Sequence, residues 1–463
     1  MSENIFRTLA VKECMLQIQN RPTAQNDPPA SRKELFGWAM YDAANSTYAT
    51  IIATTVYNAY FVRTIAGSKL GADSGTLLLG LATSIASLII VFSAPVIGAI
   101  TDAMRIRKTV LLIATAICCI GTAFLSTVGP GEYIPAMILL IVASVAYGTG
   151  EDLVAAFLPE IAEPSKIGFI SAVGWATGYM GGLVALGISL VYVLWARNHH
   201  LSETQYVPVV TLICAALFAV ASVPTFLWVR ARGHRQAHVN LGNVASVAMQ
   251  RLKDTVHHAR SYRDLFRFLV ALFVFGCGST TIIQLACVYA DQTLHFSPQD
   301  AITMMCVVHI TSASGALIFG KIQDRIGSIK TLFICALLWI ATVVVAYLAV
   351  EKWQFWIAAN IVGAALGGTG SVSRALVGSM SPRERTGEFL GLWGMAIKLA
   401  TAVGPLTFGI ATKLSGNNFR VALLTTLCFI LAGIVVAWGV NERRGMLAAE
   451  EETALEHDAI AGV

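Results

Sequence analysis

Charge is scarce in this chain of 463 residues. Asp, Glu, Lys and Arg make up 13% of it and hydrophobic residues 56%, where a soluble protein usually carries ~25% charge. A soluble globular class is excluded, and the length is better counted in membrane spans than in soluble domains. Cysteine pairs are missing too. The nine cysteines are scattered, most of them in apolar runs (Cys118, Cys119, Cys214, Cys277, Cys287, Cys306, Cys335, Cys428), and no C-x-x-C occurs. Neither a zinc site nor a disulfide framework is indicated, and the expected role is that of small buried hydrophobes. The chain also lacks a nucleophile elbow, a phosphate loop and a nucleotide fingerprint. Without an ATP-binding motif, an ion gradient must drive any uphill flux. Before Leu35 the sequence is polar, holds Pro28 and Pro29, and has no apolar core resembling a secretory signal. Residues 1–34 read as a disordered cytoplasmic tail.

What is abundant is apolar sequence in long pieces. Twelve segments can be placed, six at about 35–63, 76–101, 108–128, 134–158, 167–195 and 207–230 and six at about 264–290, 299–323, 330–350, 353–378, 386–412 and 419–440. The stretch between the two sets, 231–263, is polar and basic, and no other loop approaches its length. The expected architecture is all-α and integral to the membrane: a six-helix bundle over 35–230, a linker over 231–263, a second bundle over 264–440 and a tail over 441–463. Basic residues set the orientation. Arg7, Lys12, Arg21, Arg32, Lys33, Arg105, Arg107, Lys108, the linker arginines, Lys321, Arg325, Lys330, Arg383, Arg385, Arg443 and Arg444 fall on one side; Arg63, Lys69, Arg197, Lys352, Lys413 and Arg420 fall on the other. The crowded side is expected to be cytoplasmic, with both termini and the linker. An odd number of spans would scramble this asymmetry.

The halves repeat. GAITDAMRIRK (98–108) leaves the second segment and GKIQDRIGSIK (320–330) leaves the eighth, while Gly148-Thr149-Gly150 returns as Gly368-Thr369-Gly370 and Gly174 as Gly394. Parallel repeats of this kind place a transporter's site between the halves near the midplane. In each exit a glycine stands one turn before an aspartate, with bases following. Glycine permits close helix contact, and the carboxylate can pair with a base or cap a neighbouring helix. Gly98, Asp102, Arg105, Gly320, Asp324 and Arg325 are therefore candidate gating residues.

The first segment, GWAMYDAANSTYATIIATTVYNAYF (37–61), is the least lipid-like. Asp42, Asn45, Ser46, Thr50, Thr54, Tyr57 and Asn58 recur at spacings of three and four, which on a helix share one face. Such a stripe must meet protein or a water-filled cavity, and the opposite face, with Ile51, Ile52 and Val56, is left for lipid. Further ionisable groups fall within spans: Glu151, Asp152, Arg374 and Lys398. A charge in hydrocarbon costs at least ~2.5–3.5 kcal/mol, so such groups are seldom idle. For Asp42, Glu151, Asp152 and Arg374, a structural ion pair and a functional role stand side by side. Lys398, in mid-span, favours function as a counter-ion or ligand anchor. Trp175 and Tyr179 stand among Gly174, Gly178, Gly181 and Gly182 on a small-residue face that helix packing explains, with a ligand wall as the rival reading. Gln284 and His309 are single polar groups suited to interhelical hydrogen bonds. Gly404-Pro405 is expected to kink the eleventh helix. In the linker, His234, His238, His257 and His258 sit among arginines, which suits a basic segment touching anionic lipid better than a metal box.

The paired glycine–aspartate exits resemble the signature loop of the major facilitator superfamily, over residues 35–440. GWAMYDAANSTYAT (37–50), FLPEIAEPSKIGFISAVGWATGYMGG (157–182) and SRALVGSMSPRERTGEFLGLWGMAIKLATAVGPLTFG (373–409) are similar to its vacuole-effluxer branch, the autophagy-related vacuolar permeases and their bacterial relatives. Ala43 stands where that branch is expected to have tryptophan. The resemblance implies a cavity lined by the first, fourth, seventh and tenth spans, with parts of the fifth and eleventh beside it. For the fungal members it implies export of amino acids. The function expected is secondary transport of a small polar solute, an amino acid leaving the compartment, by alternating access driven by protons rather than sodium. Rival readings are a sugar or peptide transporter, a membrane enzyme and a non-transporting receptor. Candidate solute contacts are Tyr41, Asp42, Asn45, Glu151, Trp175, Tyr179, Gln284 and Lys398; candidate proton carriers are Asp42, Glu151 and Asp152. No cofactor, metal or nucleic acid is expected, and the chain is expected to be a monomer in a bacterial inner membrane, or in a vacuolar membrane if fungal.

Overall fold

The computed structural model describes residues 30–104, 106–161, 167–230, 262–381 and 386–449. The first helical run starts as α1 (Arg32–Thr50) and continues through π-helical turns at Ile51–Thr55 and Phe61–Ala66, with short α pieces Tyr57–Tyr60 and Gly67–Leu70. Ten long helices follow in order: α2 (Ala72–Met104), α3 (Arg107–Phe124), α4 (Tyr133–Ala155), α5 (Ile167–Asn198), α6 (Glu203–Trp228), α7 (Arg263–Leu294), α8 (Pro298–Ile326), α9 (Ser328–Leu348), α10 (Lys352–Ser379) and α11 (Thr386–Leu414). The last is α12 (Phe419–Ala437). Among the described residues, eleven helices are long and apolar enough to cross a membrane. The first run is not among them, because its polar stripe and π turns break the apolar signal.

The linker 231–263 and the histidines at 234, 238, 257 and 258 lie outside the described residues, except for Tyr262 and Arg263. The tail 1–34 is described only from Ala30, and its last three residues already belong to α1, capped by Ser31, whose side chain accepts from the Glu34 amide at 3.2 Å. The C-terminal tail is described to Ala449.

Helix ends carry their own chemistry. Capping boxes start α6 (Ser202 with Gln205) and α8 (Ser297 with Asp300), satisfying amides that have no carbonyl four residues back. The linker face, where α6 ends and α7 begins, is closed within each half by a buried carboxylate. Glu34 accepts from the Arg230 amide at 3.1 Å, and Asp264 from the Asn441 amide at 2.9 Å. An acid in the first turn of each half's first helix thus holds the chain leaving its sixth, the same device twice.

The halves meet along α2 with α11 and along α5 with α8. At the far face these contacts are made backbone to backbone. A Cβ on Gly80 would lie 2.6 Å from the Pro405 carbonyl oxygen, and one on Gly409 would lie 2.7 Å from Leu77 Cα. Arg63, in the last π turn, pairs with Glu203 of its own half and with Asp291 of α7, whose side chain is only 5% exposed. Toward the linker face the glycine contacts end: no described atom lies within 4 Å of a Cβ position on Gly98 or Gly320.

One expectation is overturned. Ile51, Ile52 and Val56 do not face lipid; they are buried at 0%, 0% and 3% exposure. The apolar face of the first run packs on neighbouring helices rather than acyl chains.

Candidate functional site: a charged vestibule between the halves

The polar stripe of the first run faces the seam between the halves. In its upper part it meets the second half directly. Thr50 Oγ1 lies 3.4 Å from His309 Nε2, and the Asn58 side-chain amide donates to the Gln284 carbonyl at 3.2 Å. His309 Nδ1 donates to the Met305 carbonyl at 2.8 Å, which leaves Nε2 to accept from Thr50. Both Gln284 and His309 thus sit at interhelical hydrogen bonds, Gln284 through its backbone. The π turns keep this register: Thr54 bonds back to the carbonyls of Ala49 and Thr50, and Asn58 to that of Ala53 at 2.6 Å.

Lower down, α5 closes on α1 through its glycines. A Cβ on Gly174 would strike Asp42 Oδ2 and the Trp38 ring, one on Gly178 would meet Ser46, and one on Gly181 would meet Ala43. Packing of a small-residue face therefore accounts for these glycines. The bulky members of that face behave differently. Trp175 is 49% exposed although the Arg374 guanidinium of α10 lies 4.7 Å from its ring. Tyr179 lies next to it, 6.1 Å between centroids, and makes an edge contact with His309 at 6.0 Å.

The charged residues converge here from both halves. Lys398 of α11 pairs with Asp152 of α4 and lies 3.8 Å from a Glu151 oxygen. The second oxygen of Asp152 is buried without a hydrogen-bond partner among the described residues. Glu151 leaves 47% of its side chain exposed. Arg374 packs on Trp393 at 4.9 Å as well as on Trp175, and it lies in the fields of Asp42, Tyr179 and Glu151. Two cations of the second half thus stand opposite three carboxylates of the first, where Glu151 and Trp175 are about half exposed. Most of them lie linker-ward of mid-helix: Asp42, Asp152 and Arg374 by roughly 12 Å at 1.5 Å per residue. Only Lys398 is near the middle.

Other candidates are placed elsewhere. Tyr41 is buried at 1% exposure, its hydroxyl on Thr115 at 2.8 Å inside the first half. One residue from Asp42 is a 100° turn of the helix, enough to leave the stripe. Asn45 is 6% exposed, with both amide atoms unpartnered among the described residues. α4 runs unbroken through its Gly-Thr-Gly, with Gly148 against Ile90 and Gly150 against Tyr41. Gly404 approaches the Cys277 carbonyl, so it is a packing position of α11 on α7. Of the gating candidates, Arg105 and the side chains of Asp102 and Asp324 lie outside the described residues, and Arg325 is exposed at the end of α8. At Gly98 and Gly320 no described atom lies within 4 Å of a Cβ position, so the close contact expected there is not made with the described residues. Trp393 was not singled out by sequence reasoning. An indole one residue before the open Gly394, and five before Lys398 on the same helix, was the available signal.

Comparison with known proteins agrees with this geometry. A family model described as "Vacuole effluxer Atg22 like" matches residues 72–450. An MFS-type transporter of Bacillus subtilis, YxiO, is 24% identical over 414 residues, 89% of this chain and 95% of that protein. Autophagy-related protein 22 of Kluyveromyces lactis is 22% identical over 76% of each chain. Among solved structures, the nucleoside transporter NupG superposes with a TM-score of 0.64 at 13% identity, over 89% of this chain and 98% of its own. A D-xylose–proton symporter gives 0.62 at 16% identity, over 89% and 97%.

Proposed function

Because the chain belongs to the Atg22-like vacuole effluxer family, and is a multi-pass membrane transporter of the major facilitator type, we propose that it exports a small zwitterionic solute, an amino acid, by alternating access driven by proton entry. One observation carries this reading: two cations of the second half stand against carboxylates of the first, beside a Glu151 side chain that is 47% exposed. A zwitterion needs both signs within one molecular length, and a neutral sugar needs neither. Asp42, Glu151 and Asp152 are the proton carriers in this scheme. Lys398 is their counter-ion, bound to Asp152 across the seam. Protonating Asp152 removes the attraction that holds α4 to α11 and frees the halves to rock. The linker face is the cytoplasmic one, and the vestibule opens toward it to load solute from inside. A bacterial inner membrane is the expected location.

The test uses purified protein in liposomes with an imposed pH gradient and a panel of amino acids, sugars and peptides. Lys398→Met should abolish gradient-driven amino-acid transport while the protein stays folded. A purely structural lysine would instead cause loss of folded protein, rescued by adding Asp152→Asn. Each amide variant, Asp42→Asn, Glu151→Gln and Asp152→Asn, separates proton carriers from bystanders. Normal accumulation in all three would defeat proton coupling through this cluster.

A further inference from the structure

We infer that His309 is a proton station at mid-depth of the seam, passing protons from the far side down the polar column of α1 to Asp42; this rests on the proton-driven reading above and adds a site to it. The column is more regular than a stripe. Asp42, Ser46 and Thr50 stand four residues apart, which on a helix sets them one above another at ~6 Å. Thr54 and Asn58 continue the same step toward the far face. Glycines of α5 keep pace with the lower three. A Cβ on Gly174 would strike Asp42, one on Gly178 would lie 3.0 Å from Ser46 Oγ, and one on Gly182 would lie 3.1 Å from Thr50 Oγ1. Each of these side chains therefore stands against a glycine, and one bridging water spans the step between neighbours.

His309 enters this column from the other half. Its Nε2 lies 3.4 Å from Thr50 Oγ1 and would lie 3.0 Å from a Cβ on Gly182, so the ring uses the space which that glycine leaves. Nδ1 faces the Met305 carbonyl at 2.8 Å. A carbonyl only accepts, so Nδ1 carries the hydrogen and Nε2 the lone pair. At 3.4 Å the bond from Thr50 is long, and a stronger donor replaces it readily. One nitrogen is thus fixed and the other is loosely held, which a purely structural bridge does not require. A proton arriving from the far side binds Nε2 while the Nδ1 hydrogen stays on Met305. Nε2 then donates to the Thr50 oxygen, the Thr50 hydrogen moves on toward Ser46, and Asp42 ends protonated with the ring neutral again. Around the ring, α1 presents Thr50, α5 presents Tyr179 and Gly182, and α10 packs on α8 through Gly363 against Thr311 and Val308. Tyr179, in the field of Arg374, is the titratable group in contact with the ring, and no charged group lies against it among the described residues. The far end of the column, Asn58, bonds α7, the helix that carries Asp291 of the Arg63 cluster.

The experiment has two parts, both on the full chain in lipid. The first is nitrogen NMR of histidine-labelled protein in nanodiscs, with the His309 signal identified by its loss in His309→Gln. The ring should show the Nδ1–H tautomer at high pH and pass to the imidazolium as pH falls from about 8 to 5. A ring that stays neutral throughout overturns the assignment. The second part measures protons moved per solute in liposomes, from an enclosed pH dye and a radiolabelled mixture of amino acids. Wild type should carry protons with the solute. His309→Gln keeps a hydrogen bond to Thr50 but holds no proton, so its ratio of protons to solute should fall toward zero. A histidine that only packs would slow both fluxes together; an unchanged ratio overturns the inference and leaves the proton-driven reading standing. A wild-type ratio of zero defeats that reading and the inference with it. No amino-acid flux at all defeats only the choice of solute, and the NMR titration then decides His309 alone. Should His309→Gln fail to fold, Thr50→Val, similar in shape but without the hydroxyl, should shift the His309 signal and lower the ratio. Neither change in a folded Thr50→Val would overturn the path.

Discussion

At the far end of the molecule the two halves touch backbone to backbone, with Gly80 on Pro405 and Gly409 on Leu77. Toward the linker face they touch through the ends of long side chains, Lys398 on Asp152 and Arg374 on Trp175. The two kinds of contact respond differently to force and to solvent. Close backbone packing loses much of its attraction once helices part by 0.5–1 Å. Side-chain bridges over a wet gap follow small movements, but water screens them to about 1 kcal/mol per pair at 4 Å. The far end is therefore a stiff seal and the linker end an adjustable mouth. Among the described residues the ion pair of the far seal is the Arg63 cluster, beside the Arg197 guanidinium donating to Gln299, and in alternating access these contacts must break for the seal to open.

Removing Arg63 should give the largest effect. Asp291 is nearly buried and would keep only the Gln292 side-chain amide, at 2.8 Å. Stripping one partner from a buried ion pair costs ~3–5 kcal/mol, and the part-exposure of Arg63 lowers that to about 2 kcal/mol. Arg63→Gln should move the population toward an opened far face by about thirtyfold. Cys287, one turn before Asp291 and 1% exposed, is a native reporter. Its alkylation by an impermeant maleimide from the far side should rise sharply, and unchanged labelling would show that the ion pair is not what holds this face.

A smaller loss is expected at Gly80. A methyl group there would lie 2.6 Å from the Pro405 carbonyl oxygen, and overpacking costs ~1–3 kcal/mol. Alanine's helix propensity returns up to ~1 kcal/mol of that. Gly80→Ala should lower the thermal midpoint of the purified protein by a few degrees. A midpoint at or above wild type would mean that α2 and α11 do not approach this closely.

The sequence announces some of this contrast and hides the rest. Twelve segments, the polar stripe and the glycine face of α5 are local patterns, and each has its counterpart in the fold. What sequence reasoning misplaced is what depends on neighbours. Ile51, Ile52 and Val56 look ready for lipid because apolar helices and acyl chains attract the same residues. The π turns at Ile51–Thr55 and Phe61–Ala66 contain no glycine or proline to announce them. Tyr41 inherited a role from Asp42 beside it, although one step along a helix faces another direction. Arg63 and Arg374 could be counted as charges, but their partners are far away in the chain and only the fold brings them together.

The smallest effect on stability, and the sharpest test of the contrast, belongs to Gly98 and Gly320. No described atom is near either Cβ position, so Gly98→Ala and Gly320→Ala should leave the thermal midpoint unchanged or raise it, by at most ~1 kcal/mol of helix propensity. Transport should nevertheless slow severalfold. When the mouth closes, the linker-face ends of α2 and α8 must approach the opposite half, and a methyl group then occupies space that is empty in the open form. The neighbouring aspartates provide the electrostatic counterpart. Asp102→Asn and Asp324→Asn should change turnover more than solute affinity, since both lie at helix ends, away from the vestibule. Exchange rates and binding constants measured together in the four variants, at equal expression, separate closure from binding. Four wild-type exchange rates would mean that the mouth closes without these ends meeting anything, and the duplicated glycine–aspartate exits would then be ordinary helix ends.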